Sequence, residues 1–176
     1  MLEKGTAGLD RGDLSRLEGC IPSLRRYGLS LSRDPQEVQD LVHDCVVRAL
    51  EKLHTRKSGG DLRPWLFAIM HNQFVSRFRR RRGPSEALES VAETALARAP
   101  AQEASDEVRR VWDALYTLPE EERSTLVLVS VEGLSYADVA RVFGIPIGTV
   151  MSRLSRARAR LAQALDRGAG VKGGER

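Results

Sequence analysis

Arginine and hydroxyl side chains recur along the segment that follows a Gly-Ile-Pro turn near the C-terminal end of the chain. Arg153, Arg156 and Arg160 fall on the side of a helix opposite its apolar stripe, together with Thr149 and Ser152. Arginine can donate paired hydrogen bonds to guanine edges or to phosphates, and short hydroxyls let a helix approach the bases closely. The pattern predicts a helix that reads duplex DNA. A solvated basic helix that ends a bundle is the simpler alternative.

A second, shorter helical pattern precedes the arginine row. Ser135 can cap its start, and Asp138 lies three residues later, where a carboxylate can reach back to the open backbone amide. Gly144 ends this helix because glycine tolerates a left-handed conformation, and Pro146 suits a new helix start. Two capped helices joined by a tight turn favour a DNA-binding helix-turn-helix. The buried stripe of the second helix is predicted to comprise Val150, Leu154, Ala157, Leu161 and Leu165.

The charge of the chain agrees with a polyanionic partner. The 176 residues carry a formal net charge of +4, with a pI near 9.4, and the basic residues are clustered rather than spread. Cys20 and Cys45 are too few for a disulfide framework or a metal set. Cys45 lies on an apolar stripe and is predicted to be a small buried residue, although a redox pair remains open. We expect no metal and no other cofactor.

The apolar residues recur at helical spacing throughout, which predicts an all-α fold. Two small helical domains are expected, at residues 9–82 and 106–165, joined by a flexible acidic linker at residues 83–105. A glycine-rich tail, residues 166–176, is predicted to be disordered. No long apolar run indicates a membrane span and no signal peptide is recognisable, so we expect a cytoplasmic protein.

The clearest helix of the first domain starts at Asp34, where Pro35 takes the first helical position and Glu37 completes a capping box. One face of this helix is apolar, and polar residues gather on the other side. The simpler interpretation is a face exposed to solvent, but a valine in its middle also fits a protein-binding face. The residues of this face are Asp40, His43, Asp44, Val47 and Glu51.

A loop and an aromatic-rich helix come next in the chain. The paired glycines Gly59 and Gly60 let backbone approach a ligand closely, or simply form a flexible turn. The next helix contains Trp65, Phe67, Phe74 and Phe78 and ends in a block of arginines. Aromatic rings beside arginines suit unpaired bases, which stack on rings while positive charge meets the backbone. The alternative is that most of these rings belong to the core.

These motifs, in this order, resemble the bacterial sigma factors of the extracytoplasmic-function (ECF) group, which belong to the sigma-70 family and retain sigma domains 2 and 4. The resemblance covers roughly residues 14–165. Residues 40–44 (DLVHD) are similar to the core-binding helix of domain 2, and residues 65–72 (WLFAIMHN) to its promoter-melting helix. Residues 118–123 (LPEEER), 132–136 (EGLSY) and 148–158 (GTVMSRLSRAR) are similar to domain 4.

The resemblance implies a transcription initiation factor without catalysis of its own. It implies that the Asp40/His43/Asp44/Val47/Glu51 face binds RNA polymerase core at the β′ clamp helices, with further contacts to the β subunit. An anti-sigma factor is the other expected protein partner. The residues implied to bind the −10 element, where a base is flipped out of the duplex, are Arg56, Lys57, Ser58, Gly59, Gly60, Asp61, Leu62, Asn72, Arg77, Arg79 and Arg80. Those implied to bind the −35 element are Thr149, Met151, Ser152, Arg153, Ser155, Arg156 and Arg160.

Some positions depart from the family's common pattern. Met151 stands where many members have a basic residue, Arg56 where a phenylalanine is frequent, and Ser76 where an aspartate is frequent. These differences bear on the promoter sequence rather than on the fold.

Two other functions stay open on the residues alone. A free-standing helix-turn-helix regulator would leave the first domain and the linker without a role. A nucleic-acid enzyme using His43, Asp44 and His71 would need residues spaced to bind a metal ion, or a nucleophile with a nearby general base. The sequence offers neither.

Overall fold

The computed structural model describes residues 11–53, 60–82 and 105–170, and the part described contains no strand. The predicted all-α fold is therefore confirmed. The helices are α1 (Arg11–Leu31), α2 (Pro35–Lys52), α3 (Leu62–Arg82), α4 (Asp106–Tyr116), α5 (Glu120–Leu126), α6 (Tyr136–Phe143) and α7 (Ile147–Gly170). Apart from Ser105, the predicted linker lies outside the described residues.

The predicted N-cap residues begin their helices, while the carboxylates predicted to complete the capping boxes accept from serine hydroxyls, Glu37 from Ser32 and Asp138 from Ser135. The Asp34 carboxylate accepts a hydrogen bond from the Gln36 amide at 2.9 Å, and Pro35 is the first residue of α2. The Ser135 hydroxyl accepts from the Asp138 amide at 3.1 Å. Gly144 ends α6 with a φ of 65°, in the left-handed region. Each cap pairs a backbone group that a helix end leaves open.

The helix α7 extends further than the sequence analysis predicted. It continues through Gly170, so residues 166–170 are helical rather than part of the predicted tail. This stretch contains one alanine, Ala169, and two glycines, Gly168 and Gly170. Glycine lowers helix propensity by about 1 kcal/mol per residue but does not by itself end a helix. Residues 171–176 lie outside the described residues.

Helices α1, α2 and α3 pack around one apolar core. Its fully buried side chains include Leu24, Tyr27, Leu41, Phe67 and Met70. At the crossing, Gly28 brings the backbone of α1 so close that an added Cβ would lie 2.8 Å from Val38 and 2.9 Å from Met70. The missing side chain thus sets the distance between the three helices.

The apolar core continues from α1–α3 into the second half of the chain. Val127, Leu128, Val139 and Val150 belong to the same buried cluster. A separate small cluster joins α4, α5 and α7, and consists of Leu115, Leu118, Leu126, Leu154 and Ala157. The helix-turn-helix is therefore packed on one side against its own domain and on the other against the first three helices.

A π-helical segment, Val127–Val131, extends α5 and ends the apolar run. Its wide turn is closed by the Glu132 amide, which donates to the Val127 carbonyl at 3.0 Å. Gly133 comes next with a φ of 69°, which favours glycine. One extra residue in a turn rotates the downstream residues by about 100° around the helix axis. The side chain of Glu132 lies inside, and the residue is only 4% exposed.

Candidate nucleic-acid interface

The second helix of the helix-turn-helix, α7, has one buried and one open side. Val150, Leu154 and Ala157 are buried, as the sequence stripe predicted, while Leu161 and Leu165 are half-buried. Ser152, Ser155 and Met151 are exposed, and Thr149 is half-buried. The two serines and the methionine form a narrow strip on the side of α7 turned away from the core, which could enter a DNA groove.

Three of the predicted arginines are held by carboxylates from the start of α5. Arg153 pairs with Glu121 at 2.5 Å, and its side chain is only 17% exposed. Glu122 is shared, because one carboxylate oxygen meets Arg156 Nε at 3.1 Å and the other meets Arg160 Nη1 at 3.4 Å. Arg156 and Arg160 remain half-exposed, so they can still reach a ligand. Arg153 is largely withdrawn from solvent.

Arg158 is a basic residue that the sequence analysis left out of the candidate set. It lines a shallow groove with Tyr136, Met151 and Ser155, on the flank of α7 opposite the three paired arginines. Within the described ranges it makes no ion pair. Its spacing from Met151 and Ser155, seven and three residues, was the available signal because these positions share a helix face.

The predicted polymerase-binding face lies on the outer side of α2. Asp40, His43 and Glu51 are exposed, and Val47 is 42% exposed. Asp44 differs, since its carboxylate pairs with Arg77 of α3 and its backbone carbonyl accepts from Gln73 at 3.0 Å. Asp44 and Arg77 therefore join α2 to α3, while the rest of the face is open.

The predicted −10 residues are only partly within the described structure. Arg56, Lys57, Ser58 and Gly59 lie outside it, as do the side chains of Arg79 and Arg80. Asp61 is exposed and caps α3, accepting from the Arg63 amide at 3.0 Å. Gly60 and Asn72 are exposed as well.

Leu62, by contrast, is only 6% exposed and belongs to the core. Its side chain helps to fix the start of α3. A direct contact of this side chain with a base would need the first turn of α3 to leave the core.

His71 connects the two halves of the chain. Its ring lies 4.7 Å from the ring of Phe143 in α6, and its Nδ1 is 3.1 Å from the Tyr27 hydroxyl of α1. Burial, together with the smaller effect of the nearby Arg153 guanidinium, lowers the pKa of His71 to about 4. The imidazole is therefore neutral at pH 7. The contacts of His71 with Tyr27 and Phe143 could not be predicted from the sequence, since they join residues far apart in the chain.

The two cysteines are free and buried. Cys45 donates to the Leu66 carbonyl at 3.4 Å, and burial raises the pKa of its thiol to about 12. A thiol that stays protonated is a poor nucleophile. No cluster of three histidine, cysteine or acidic residues fit to hold a metal occurs within residues 11–53, 60–82 and 105–170. None of the helices described is both long and apolar enough to cross a bilayer.

Comparison with known proteins identifies the family. Residues 109–161 match the family described as sigma-70, region 4, and residues 17–71 match the sigma2 domain of PhyR. The ECF RNA polymerase sigma factor EcfG of Rhodopseudomonas palustris is 37% identical over 146 residues, which cover 83% of this chain and 81% of the relative. SigM of Mycobacterium tuberculosis is 36% identical over 143 residues, 81% of this chain and 71% of the relative. The chain belongs to the ECF sigma factors.

Solved structures agree with this assignment. The sigma factor RpoE of Bartonella quintana, solved in complex with the anti-sigma factor NepR, superposes with a TM-score of 0.74 and 34% identity. The match covers 89% of this chain and 98% of that one. CnrH, solved with the cytosolic domain of CnrY, gives a TM-score of 0.68 at 26% identity, covering 93% of this chain and 94% of that one.

The match to both sigma domains favours a sigma factor, which gives RNA polymerase its choice of promoter, over a free-standing helix-turn-helix regulator. Sigma factors are regulators rather than catalytic enzymes. The assignment of individual residues of this chain to contacts with the promoter or the polymerase stays a prediction.

Proposed function

We propose that this alternative sigma factor binds its partners through three separate surfaces of the described structure. The outer face of α2 binds polymerase core, the start and middle of α3 bind the −10 element, and the outer strip of α7 binds the −35 element. The chain performs no catalysis, and it acts in the cytoplasm, where the polymerase and the promoter are. An anti-sigma factor is its expected inhibitor, in keeping with the complexes in which RpoE and CnrH were solved.

The observation that carries the polymerase-binding assignment is the exposure of Val47 among charged residues. An exposed valine with His43 and Asp40 beside it has the composition of a docking surface with an apolar centre and a polar rim. α2 packs inward against α1 and α3, which leaves this face outermost.

The −35 assignment is supported by geometry and charge together. The exposed serines of α7 permit close approach of the helix to base edges. Arg156 and Arg160 are half-exposed at the edge of this strip, and Arg158 lies on its other flank. Each could donate to a phosphate or a guanine. The carboxylates of Glu121 and Glu122 reduce the net charge of this surface, which lowers its sequence-independent attraction to DNA.

Asn72 is the residue of α3 best placed to select a flipped base. Its amide is exposed and can donate and accept at once, which suits a base edge. Extrusion of a base costs a few kcal/mol, so a matching amide would offset part of that cost only for the correct base.

Two variants separate the proposed surfaces. Asn72→Ala is expected to impair open-complex formation, seen as lower permanganate reactivity of promoter thymines, while the affinity for core polymerase survives. Val47→Arg is expected to weaken core binding at least tenfold by placing a charge at the centre of the docking face. Gln39→Arg, at another exposed position of the same helix, is its matched control. If Asn72→Ala lost core binding instead, the assignment of faces would be wrong.

A further inference from the structure

Arg156 in α7 is held at one edge of its guanidinium and leaves the other edge open. Its Nε donates to Glu122 Oε1 at 3.1 Å, and within residues 11–53, 60–82 and 105–170 its two Nη groups make no hydrogen bond. The side chain is 54% exposed. Together the two Nη groups can donate the paired hydrogen bonds that guanine O6 and N7 accept. Arg156 therefore combines a fixed stem with a free guanine-binding edge.

Glu122 is a buried acid whose own position is set by the core of its domain. The residue is 6% exposed and belongs to the short helix α5. Leu126 of the same helix lies in one apolar cluster with Leu154 and Ala157, which stand on either side of Arg156 along α7. This cluster fixes the distance between the two helices. The carboxylate and the arginine are therefore both carried by rigid elements, as precise positioning requires.

The glutamates of α5 hold the three arginines of α7 unequally. Glu122 Oε2 lies 3.4 Å from Arg160 Nη1 and accepts no hydrogen bond within the described ranges. Arg160 is thus held by charge alone and can turn to a phosphate without breaking a hydrogen bond. Arg153, paired with Glu121, is largely withdrawn from solvent. Only Arg156 of these three has both a hydrogen-bonded stem and an open edge.

The neighbours of Arg156 on α7 leave room for a base edge. Ser152 lies one turn before Arg156 on the same face of the helix. Its hydroxyl donates to the Thr149 carbonyl at 3.0 Å and is thus folded back onto its own helix. Ser155, directly before Arg156, is short and exposed. Arg156 is therefore a long donor beside two short side chains, an arrangement that suits contact with a base in the major groove.

We propose that Glu122 is a positioning residue for sequence recognition, which fixes Arg156 so that its open edge reads one guanine of the −35 element. The proposal rests on the proposed function of α7. A free arginine loses rotamer freedom when it binds a base, whereas an arginine already held by a carboxylate has lost much of it beforehand. Phosphates offer no such gain, because the negative charge of Glu122 opposes attraction to the DNA backbone. Glu122 therefore favours the guanine-bearing site over other DNA.

Two variants of Glu122 separate positioning from charge. Glu122→Met and Glu122→Gln both remove one negative charge and keep the length of the side chain, but only glutamine can accept from Arg156 Nε through a carbonyl oxygen. The full chain is assembled with core polymerase and transcribes a promoter library in which the −35 element is randomised. The measured quantity is the preference for guanine over the other bases at each −35 position.

The parent should prefer guanine at one position that depends on Arg156, and Arg156→Ala should abolish that preference. Glu122→Met should lower it about tenfold at that position and leave the other positions unchanged. Glu122→Gln should keep it within about threefold of the parent. In the Arg156→Ala background Glu122→Met should have no further effect at that position, since the two residues act as a unit. Glu107→Gln, an exposed neutralisation in α4, should change nothing.

Three results would overturn the positioning role. Equal losses in Glu122→Met and Glu122→Gln would assign the effect to charge alone. A loss of preference at every −35 position would show that Glu122 only maintains the fold. A further loss in the Arg156→Ala background at the same position would show that Glu122 does not act through Arg156.

A measurement without DNA distinguishes this proposal from the proposed function. Exchange of the Arg156 Nε proton with water, followed by nuclear magnetic resonance, should be slow in the parent and in Glu122→Gln. It should be about tenfold faster in Glu122→Met, because the acceptor is lost. A parent with slow exchange but no base preference at any −35 position would refute the function of α7, whereas equally fast exchange in all three proteins would refute the hold of Glu122 on Arg156.

Discussion

Acid should weaken the contact between the first three helices and the helix-turn-helix through His71, which packs against Tyr27 of α1 and Phe143 of α6. The half-buried ring packs against Tyr27 and Phe143, and its burial together with the nearby Arg153 charge lowers its pKa to about 4, whereas a solvent-exposed imidazole titrates near 6.5. The form in which these contacts are intact, called the closed form below, therefore binds fewer protons than an open form in which this ring meets water. Closure is fully favoured above pH 6.5 and weakens as the pH falls from 6.5 towards 4.

The size of the effect is set by these two pKa values. A difference of about two and a half pKa units amounts to roughly 3 kcal/mol once the pH is below 4. Between pH 8 and pH 5.5 the equilibrium between closed and open forms should shift by about tenfold. This range is mild enough to leave most surface carboxylates ionised.

The effect of His71 must be distinguished from the effects of other titrating groups near it. Glu120 of α5 lies near Tyr27 and Arg153, and burial raises the pKa of its carboxyl. Its protonated form is favoured by burial, so acid acts on Glu120 in the opposite direction. Glu121 pairs with Arg153 on the exposed side.

The assay is the distance between spin labels on Arg48→Cys in α2 and Ala162→Cys in α7, both exposed positions, in a chain whose native cysteines are buried. It is recorded by pulsed electron paramagnetic resonance from pH 8 to pH 5.5, for the parent and for His71→Gln. Glutamine can still accept from the Tyr27 hydroxyl but does not titrate. We expect the open fraction of the parent to rise about tenfold relative to that of His71→Gln. Identical pH profiles for the two proteins, or opening on the alkaline side, would refute the reasoning.

Two further predictions concern DNA binding and stability. Arg156→Ala should weaken binding of a −35 duplex about tenfold or more in a gel-shift titration at fixed salt, with little effect on promoter melting; an unchanged affinity would contradict the role of α7. Gly28→Ala should lower the free energy of unfolding by about 1–3 kcal/mol in denaturant titrations, because its Cβ would collide with Val38 and Met70. Gly19→Ala in the same helix, where nothing lies within 4 Å, should raise it slightly, and equal effects at both sites would refute the packing argument.

Local patterns were sufficient to predict the helices and their caps. Asp34, Ser135 and Gly144 act on backbone groups within a few residues, so the sequence signals for them are short and specific. The stripe of α7 was predicted for the same reason, since helical spacing alone decides which residues share a face. The exposure of Val47 confirms that the polar side of α2 is its outer side, although its partner stays a prediction.

Contacts between distant segments could not be predicted in this way. The sequence gives no local signal that Glu121 and Glu122 hold the arginines of α7, or that Arg26 meets Glu132. The π-helical segment was also missed, because an apolar run such as Leu126–Val129 does not distinguish a normal turn from a wide one. Leu62 was taken from the family's loop pattern, yet its apolar side chain is buried in the core.

The most direct test of the central claim is transcription in vitro with purified bacterial core polymerase and a library of promoter fragments. The account predicts that the chain binds core and restricts initiation to a defined set of start sites with shared −10 and −35 sequences. Failure to bind core, or binding without any choice of start site, would contradict it.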